Sequence, residues 1–205
     1  MSDILHYLLT DFVTSCGVRI PALRVYYQVF GKTLGTAPVV VVNHAFTGNS
    51  QVTGENGWWK EAIGEGKLID TLKYTVVAFN IPGNGFGARE EDMIPNYEHW
   101  AGIDIARIFN KGLTEHLGLK EVFALVGCSL GGGIAWEMAA LAPTLFKELI
   151  IVAADWKATD WIIGNCLLQE QILKNSTHPL HDARLHAMLC YPTPQTLLAL
   201  WGLHL

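Results

Sequence analysis

The chain has 205 residues, enough for one domain of ordinary size. Half of them are hydrophobic and only 16% are charged, which excludes disorder, since a disordered chain needs low hydrophobicity and high charge. A net charge of −5 with no basic run argues against nucleic acid as a partner. In chain order, Arg24–Phe30 is β-branched and aromatic and stops at Gly31, a strand followed by a turn. Val39–Val42 is wholly apolar, as a buried parallel strand is. Trp58–Leu72 reads as loop and helix, and Tyr74–Asn80 as a strand stopped by Pro82-Gly83. Glu98–Leu117 carries a helical stripe of Ile103, Ile105, Ile108, Leu113 and Leu117, with Gly118 at the C-cap. Val122–Val126 reads as a strand, Gly133–Leu141 as a helix stopped by Pro143, and Leu149–Ala154 as a further strand. After Trp161 the pattern is helical.

This alternation predicts an α/β fold, a mostly parallel sheet with helices on both faces. Such sheets place their chemistry in the loops at the C-terminal strand ends, so the positions to inspect follow Val42, Phe79, Val126 and Ala154. The mean hydropathy is positive. The longest apolar runs, Val39–Val42 and Leu149–Ala154, are still strand-sized against the ~18 residues of a membrane span. Asp3 precedes the first basic residue, Arg19, so no secretory leader is expected and the expected location is cytoplasmic. Cys16, Cys128, Cys166 and Cys190 lie far apart, as free thiols in a reducing compartment do.

Gly127-Cys128-Ser129-Leu130-Gly131 is a G-x-S-x-G motif, which chance supplies about 0.05 times in a chain of this composition. Its setting adds weight: an apolar strand ends just before it and a helix starts just after, the context of a nucleophile elbow. Ser129 is the predicted nucleophile, exposed at the C-terminal sheet edge and close to a helix N-terminus that favours an oxyanion. Asn43-His44-Ala45-Phe46-Thr47-Gly48 follows the Val39–Val42 strand and occupies the place of an oxyanion loop. His44 reads as a buried histidine satisfied by backbone, because a histidine in that loop need not transfer protons. His44, His99 and His116 have no ligand spacing with Cys, Asp or Glu, so no metal site is expected.

These two motifs, together with Gly57-Trp58-Trp59, Ile63-Gly64-Glu65-Gly66-Lys67, Ile69-Asp70-Thr71, Tyr74 and Asn80, resemble the homoserine O-acetyltransferase family of α/β-hydrolases, in its N-terminal portion. The resemblance runs over roughly Arg24–Ser176 and rests on several spaced motifs in the right order. It implies acyl transfer by a Ser–His–Asp triad: a serine takes an acyl group from acyl-coenzyme A, a co-substrate and not a bound cofactor, and passes it to an amino-acid hydroxyl. It implies Ser129 as nucleophile, with the backbone N–H groups of Phe46 and Leu130 as the oxyanion hole. Asp182-Ala183-Arg184 and Tyr191 resemble the start of the family's helical lid, which implies a core over residues 1–175 and a lid over 176–205. On that basis Arg184 is the candidate for holding the substrate carboxylate, a task its planar fork suits.

The sequence departs from the family at Cys128, Leu130, Gly133 and Ile134 beside the elbow, at Glu65, and at Pro82-Gly83-Asn84-Gly85. The family's catalytic Asp and His lie beyond the lid, and no residue of this sequence matches them, so the sheet is expected to lack its C-terminal strands. Asp155, at the end of a strand, is the in-chain candidate for a triad acid. His178, His181 and His186 read as surface histidines, since no local spacing aims them at Ser129. Three readings therefore stand side by side: an acyltransferase, an esterase on the same scaffold, and a catalytically incomplete fragment or binding module. The resemblance implies small-molecule substrates, a homoserine-like amino acid and acyl-coenzyme A, with no nucleic acid and no membrane as partner. No charged residue follows Arg184, and Leu197, Leu198, Leu200, Trp201, Leu203 and Leu205 make an apolar ending expected to pack onto a partner subunit in a homo-oligomer, to cover the unfinished sheet or to drive aggregation.

Overall fold

A computed structural model describes residues 2–94 and 96–190. Tyr191 and the apolar ending lie outside the described residues. The chain divides into two compact units, residues 1–156 and 157–205.

The first unit is built on a six-stranded sheet. Its strands are β1 (Leu5–Val13), β2 (Arg19–Gly31), β3 (Val39–Asn43), β6 (Thr75–Phe79), β7 (Val122–Cys128) and β8 (Phe146–Val152), in the order β1-β2-β6-β3-β7-β8. β1/β2 and β2/β6 pair antiparallel, and the three remaining pairs are parallel. Two short strands, β4 (Ile63–Gly64) and β5 (Ile69–Asp70), pair apart from this sheet. The helices are α1 (Gly102–Lys111), which continues into a π-helical turn over Gly112–His116, and α2 (Leu130–Leu141).

β3 and β6 are buried at every position, which is why their sequences are unbroken apolar runs. The two-residue period of a strand sorts their side chains to opposite faces. Val39, Val41, Val77, Phe79 and Leu125 pack with Ile105, Ile108 and Phe109 of α1 and Ile134 and Met138 of α2. Val40, Val42, Val76, Ala78, Ala124 and Val126 pack with Val52 and Ile63, and with Trp58 and Trp59. Both helices of this unit therefore share one face. The other is covered by the segment from Val52 to Tyr74, in which the expected helix is absent. Gly54, Gly57, Gly64 and Gly66 break that segment into turns around β4 and β5.

Three further expectations are corrected. β1 was not foreseen. The α-helix expected from Glu98 begins at Gly102, where buried Asp104 turns back to accept the Ala101 N–H at 3.0 Å. The last strand ends at Val152, because Ala153 takes φ 50° and leaves the extended region.

The second unit contains α3 (Asp160–Asn175) and α4 (Pro179–Cys190), so α3 falls outside the unit that carries the sheet. Thr159 caps α3 by accepting the Ile162 N–H, and neither helix has a buried residue. Among the described residues no helix is long and apolar enough to cross a membrane.

Candidate active site

Ser129 stands alone between β7 and α2, at φ 51° and ψ −123°. That backbone region is costly for any residue with a Cβ, and it persists because the surroundings fix it. The Ser129 N–H donates to Val152 O of β8 at 3.0 Å, and Ser129 O accepts Gly132 N–H at 2.9 Å and Gly133 N–H at 3.2 Å. The flanking glycines are steric requirements. A Cβ on Gly127 would stand 2.3 Å from Gly131 O, and one on Gly131 would stand 2.4 Å from His44 O. α2 thus starts against the backbone of the β3 loop. Ser129 is exposed, and its Oγ has no hydrogen-bond partner among the described residues.

The β3 loop is shaped from both ends. Asn43, in register with Gly127, donates through Nδ2 to Gly131 O at 3.3 Å. Gly48 N–H donates to Ala45 O at 2.9 Å, which closes a tight turn with Phe46 and Thr47 at its centre. Phe46 and Leu130 are exposed, and neither amide has a partner among the described residues. These are the two backbone donors expected for an oxyanion hole.

His44 is buried at 1% exposure. Its Nδ1–H donates to Ala45 O at 2.7 Å and its Nε2 accepts the Ile81 N–H at 3.0 Å, which defines the neutral tautomer protonated on Nδ1. Burial pushes its pKa below the ordinary histidine value, with the Ala45 carbonyl pulling the other way. A polar chain continues from it, exposed at Asn84 and buried beyond it. Asn84 Nδ2 lies 3.4 Å from His44 Nε2 and donates to Asn80 Oδ1 at 3.2 Å. Asn80 Oδ1 also accepts the Ser50 N–H at 2.7 Å, and Ser50 Oγ donates to Gln28 Oε1 at 2.7 Å. Gln28, Ser50 and Asn80 are all buried. Sequence reasoning missed this chain, although a polar residue placed directly after an apolar strand, as at Asn43 and Asn80, was a usable signal.

The other candidates are placed as follows. Asp155 is exposed beyond β8, and its Oδ1 accepts the Trp156 N–H at 2.9 Å. Arg184 is exposed on α4 and makes no ion pair among the described residues. On the same hairpin His181 Nδ1 pairs with Asp182 at 2.9 Å, His186 Nδ1 contacts Gln169 at 2.7 Å, and the His178 N–H donates to Ser176 Oγ. In the first unit, His116 stacks on Tyr7 and contacts the Tyr27 hydroxyl at 3.0 Å. Among the described residues no three His, Cys, Asp or Glu side chains converge as metal ligands.

A parallel sheet core, a strained serine on a strand–helix elbow and a facing loop with free amides define one class of protein. Comparison agrees: the α/β hydrolase fold family matches residues 38–171, and the chain belongs to it. Within that family the relatives it matches include homoserine O-acetyltransferases. It is 31% identical to that of Corynebacterium diphtheriae, over 78% of this chain and 44% of the relative. It is 33% identical to that of Cyclobacterium marinum, over 97% of this chain and 61% of the relative. The crystal structure of homoserine O-acetyltransferase from Staphylococcus aureus superposes with a TM-score of 0.80 at 26% identity, over 96% of this chain and 61% of that one. These relatives bear out the resemblance read from the motifs. The chain spans about half the length of the curated relatives it matches.

Proposed function

We propose that this chain carries the nucleophile and oxyanion part of an acyl-transfer site, in which Ser129 accepts an acyl group from acyl-coenzyme A and passes it to the hydroxyl of a homoserine-like amino acid. Ser129 Oγ attacks the thioester carbonyl. The developing oxyanion is met by the Phe46 and Leu130 amides, and the thiol of coenzyme A leaves with the serine's proton. The acceptor hydroxyl then attacks the acyl-serine ester and regenerates Ser129. Arg184 is assigned to the acceptor's carboxylate, Asp155 is the in-chain candidate for the triad acid, and α4 is assigned to the start of a helical lid.

The observation that carries this reading is the backbone of Ser129, because strain at an exposed serine heading a helix serves no packing purpose. A serine hydroxyl without a base is a weak nucleophile, and among the described residues no histidine contacts Ser129 Oγ. Turnover of p-nitrophenyl acetate by the 205-residue chain is therefore expected to be no faster than that of a Ser129→Ala control. The reading is tested by prolonged incubation with a fluorophosphonate and mapping of the adduct by mass spectrometry. Modification at Ser129 is expected. Modification confined to other residues, or none, refutes it.

A further inference from the structure

We infer that His44 is a positioning residue that aims the Phe46 amide, the outer donor of the oxyanion hole. The inference rests on the reading above for what that amide does, and on geometry for how it is held.

Ala45 C=O and Phe46 N–H belong to one peptide unit. In a planar trans peptide these two groups point in opposite directions, so fixing the carbonyl fixes the direction of the amide. Ala45 O is held twice: by Gly48 N–H at 2.9 Å, which forms the turn, and by His44 Nδ1–H at 2.7 Å. The second bond comes from a ring that cannot swing, because its other nitrogen accepts the Ile81 N–H at 3.0 Å. Ile81 follows β6, the strand beside β3, so the imidazole straps the β3 loop to the neighbouring strand end.

The strap is supported from behind. Asn80, one residue before Ile81, accepts the Ser50 N–H at 2.7 Å and so draws the far end of the same loop to the same strand end. Asn80 Nδ2 donates to Phe86 O at 3.1 Å, and Phe86 N–H donates to Asn84 Oδ1 at 3.0 Å, which folds the β6 loop onto the pair. Phe46 itself is 79% exposed, so its own side chain contributes little to holding the turn. The donor that must be rigid sits on an exposed residue, and its rigidity is supplied by the buried residue two positions earlier. Electrostatic stabilisation of an oxyanion depends on donors that are already aimed before charge develops.

The test compares the full chain with His44→Asn and His44→Gln. Asn keeps a donor beside Ala45 O and is too short to reach the Ile81 N–H, so the strap is cut. Gln carries an acceptor and a donor on a longer stem and restores it. Two quantities are read: the backbone order parameters of the Phe46 and Leu130 amides by NMR relaxation, and affinity for phenylboronic acid, which forms a tetrahedral adduct on a serine oxygen. His44→Asn is expected to lower the Phe46 order parameter from the rigid range of about 0.85 to below about 0.6 with Leu130 unchanged, and to weaken boronate binding about tenfold, the cost of one lost buried bond. His44→Gln should recover both. A normal Phe46 amide in His44→Asn, or a Gln variant as impaired as the Asn variant, overturns the inference. If boronate binding by the unmodified chain does not depend on Ser129, the acyl-transfer reading fails, while the order-parameter measurement still decides the role of His44.

Discussion

The imidazole of His44 and the backbone amide of Ile81 meet at 3.0 Å, a bond between groups 37 positions apart that only a neutral histidine can accept. Burial lowers the pKa of His44 in the folded chain, whereas in the unfolded chain it titrates near the ordinary value of about 6.5. Above that value the bond contributes its full stability. As pH falls, the unfolded state takes up the proton first, and stability is lost toward the lowered folded pKa. Relative to His44→Gln, the unmodified chain should therefore lose thermal stability between pH 7 and pH 5. Parallel melting curves for the two proteins check this, and a constant difference would contradict it.

Gly131 and Gly133 lie on one helix in opposite steric settings. A Cβ at Gly131 meets the His44 and Asn43 carbonyl oxygens at 2.4 and 2.5 Å, both backbone and unable to move aside, whereas a Cβ at Gly133 meets nothing within 4 Å. Gly131→Ala should cost about 2 kcal/mol or more by overpacking. Gly133→Ala should stabilise by about 0.5–1 kcal/mol through helix propensity. Urea denaturation of both variants measures the contrast.

The φ of 51° at Ser129 makes a second pair informative. Ser129→Ala keeps the Cβ and with it the backbone strain, and Ser129→Gly removes both. Strain of this kind costs about 1–3 kcal/mol, so the glycine variant should be the more stable by about 1 kcal/mol after its greater chain entropy is offset. Equal denaturation midpoints would show that the elbow is unstrained.

How far the sequence could be read follows from what each element depends on. β3 and β6 were legible because strands buried on both faces need unbroken apolar runs, and β7 because its run is buried at all but Phe123 and Cys128. The elbow was legible because its glycines are steric necessities written into adjacent positions. β1 was not: Leu5–Val13 mixes His6, Thr10 and Asp11 among its apolar residues, and its pairing is defined by β2 across the sheet. The helix expected over Glu98–Leu117 overran at both ends. Asp104 sets its start, and at its end the chain passes into a π-helical turn at Gly112, where a Cβ would press on the Tyr7 hydroxyl at 2.8 Å. His44 was read correctly as a buried, backbone-satisfied side chain, yet its particular partner was invisible because Ile81 contributes a backbone group, which no residue name announces.

Asp92 offers a test away from the elbow. Burial raises its pKa, but hydrogen bonds from Tyr26 at 2.5 Å and from Arg89 and Arg24, each at 3.2 Å, outweigh that and hold it at about 2. A depressed carboxylate stabilises the fold above the unfolded value of about 3.9, and that stability drains away as pH falls toward the folded value. Asp92→Asn should cost on the order of 1–2 kcal/mol at pH 6.5 and clearly less at pH 3, as read by denaturant titration at the two pH values.

The chain of hydrogen bonds from Gln28 through Ser50, Asn80 and Asn84 to His44 also constrains how this protein can diverge. Exchanging Gln28, Ser50 or Asn80 strands a buried partner, and exchanging His44 strands the Ile81 N–H, whereas Asn84 is exposed and water can take its place. Replacing Gln28 and Ser50 together by apolar residues of similar shape leaves neither of these side chains stranded, whereas the Ser50 and Ile81 N–H groups still need Asn80 and His44. The pair of Gln28 and Ser50 therefore behaves as a single inherited character: single steps away from it cross a fitness valley, and only concerted changes pass. Among diverged copies of this chain, Gln28 and Ser50 should be kept together or lost together with Asn80 and His44 retained, while exposed neighbours such as Phe46 vary one at a time.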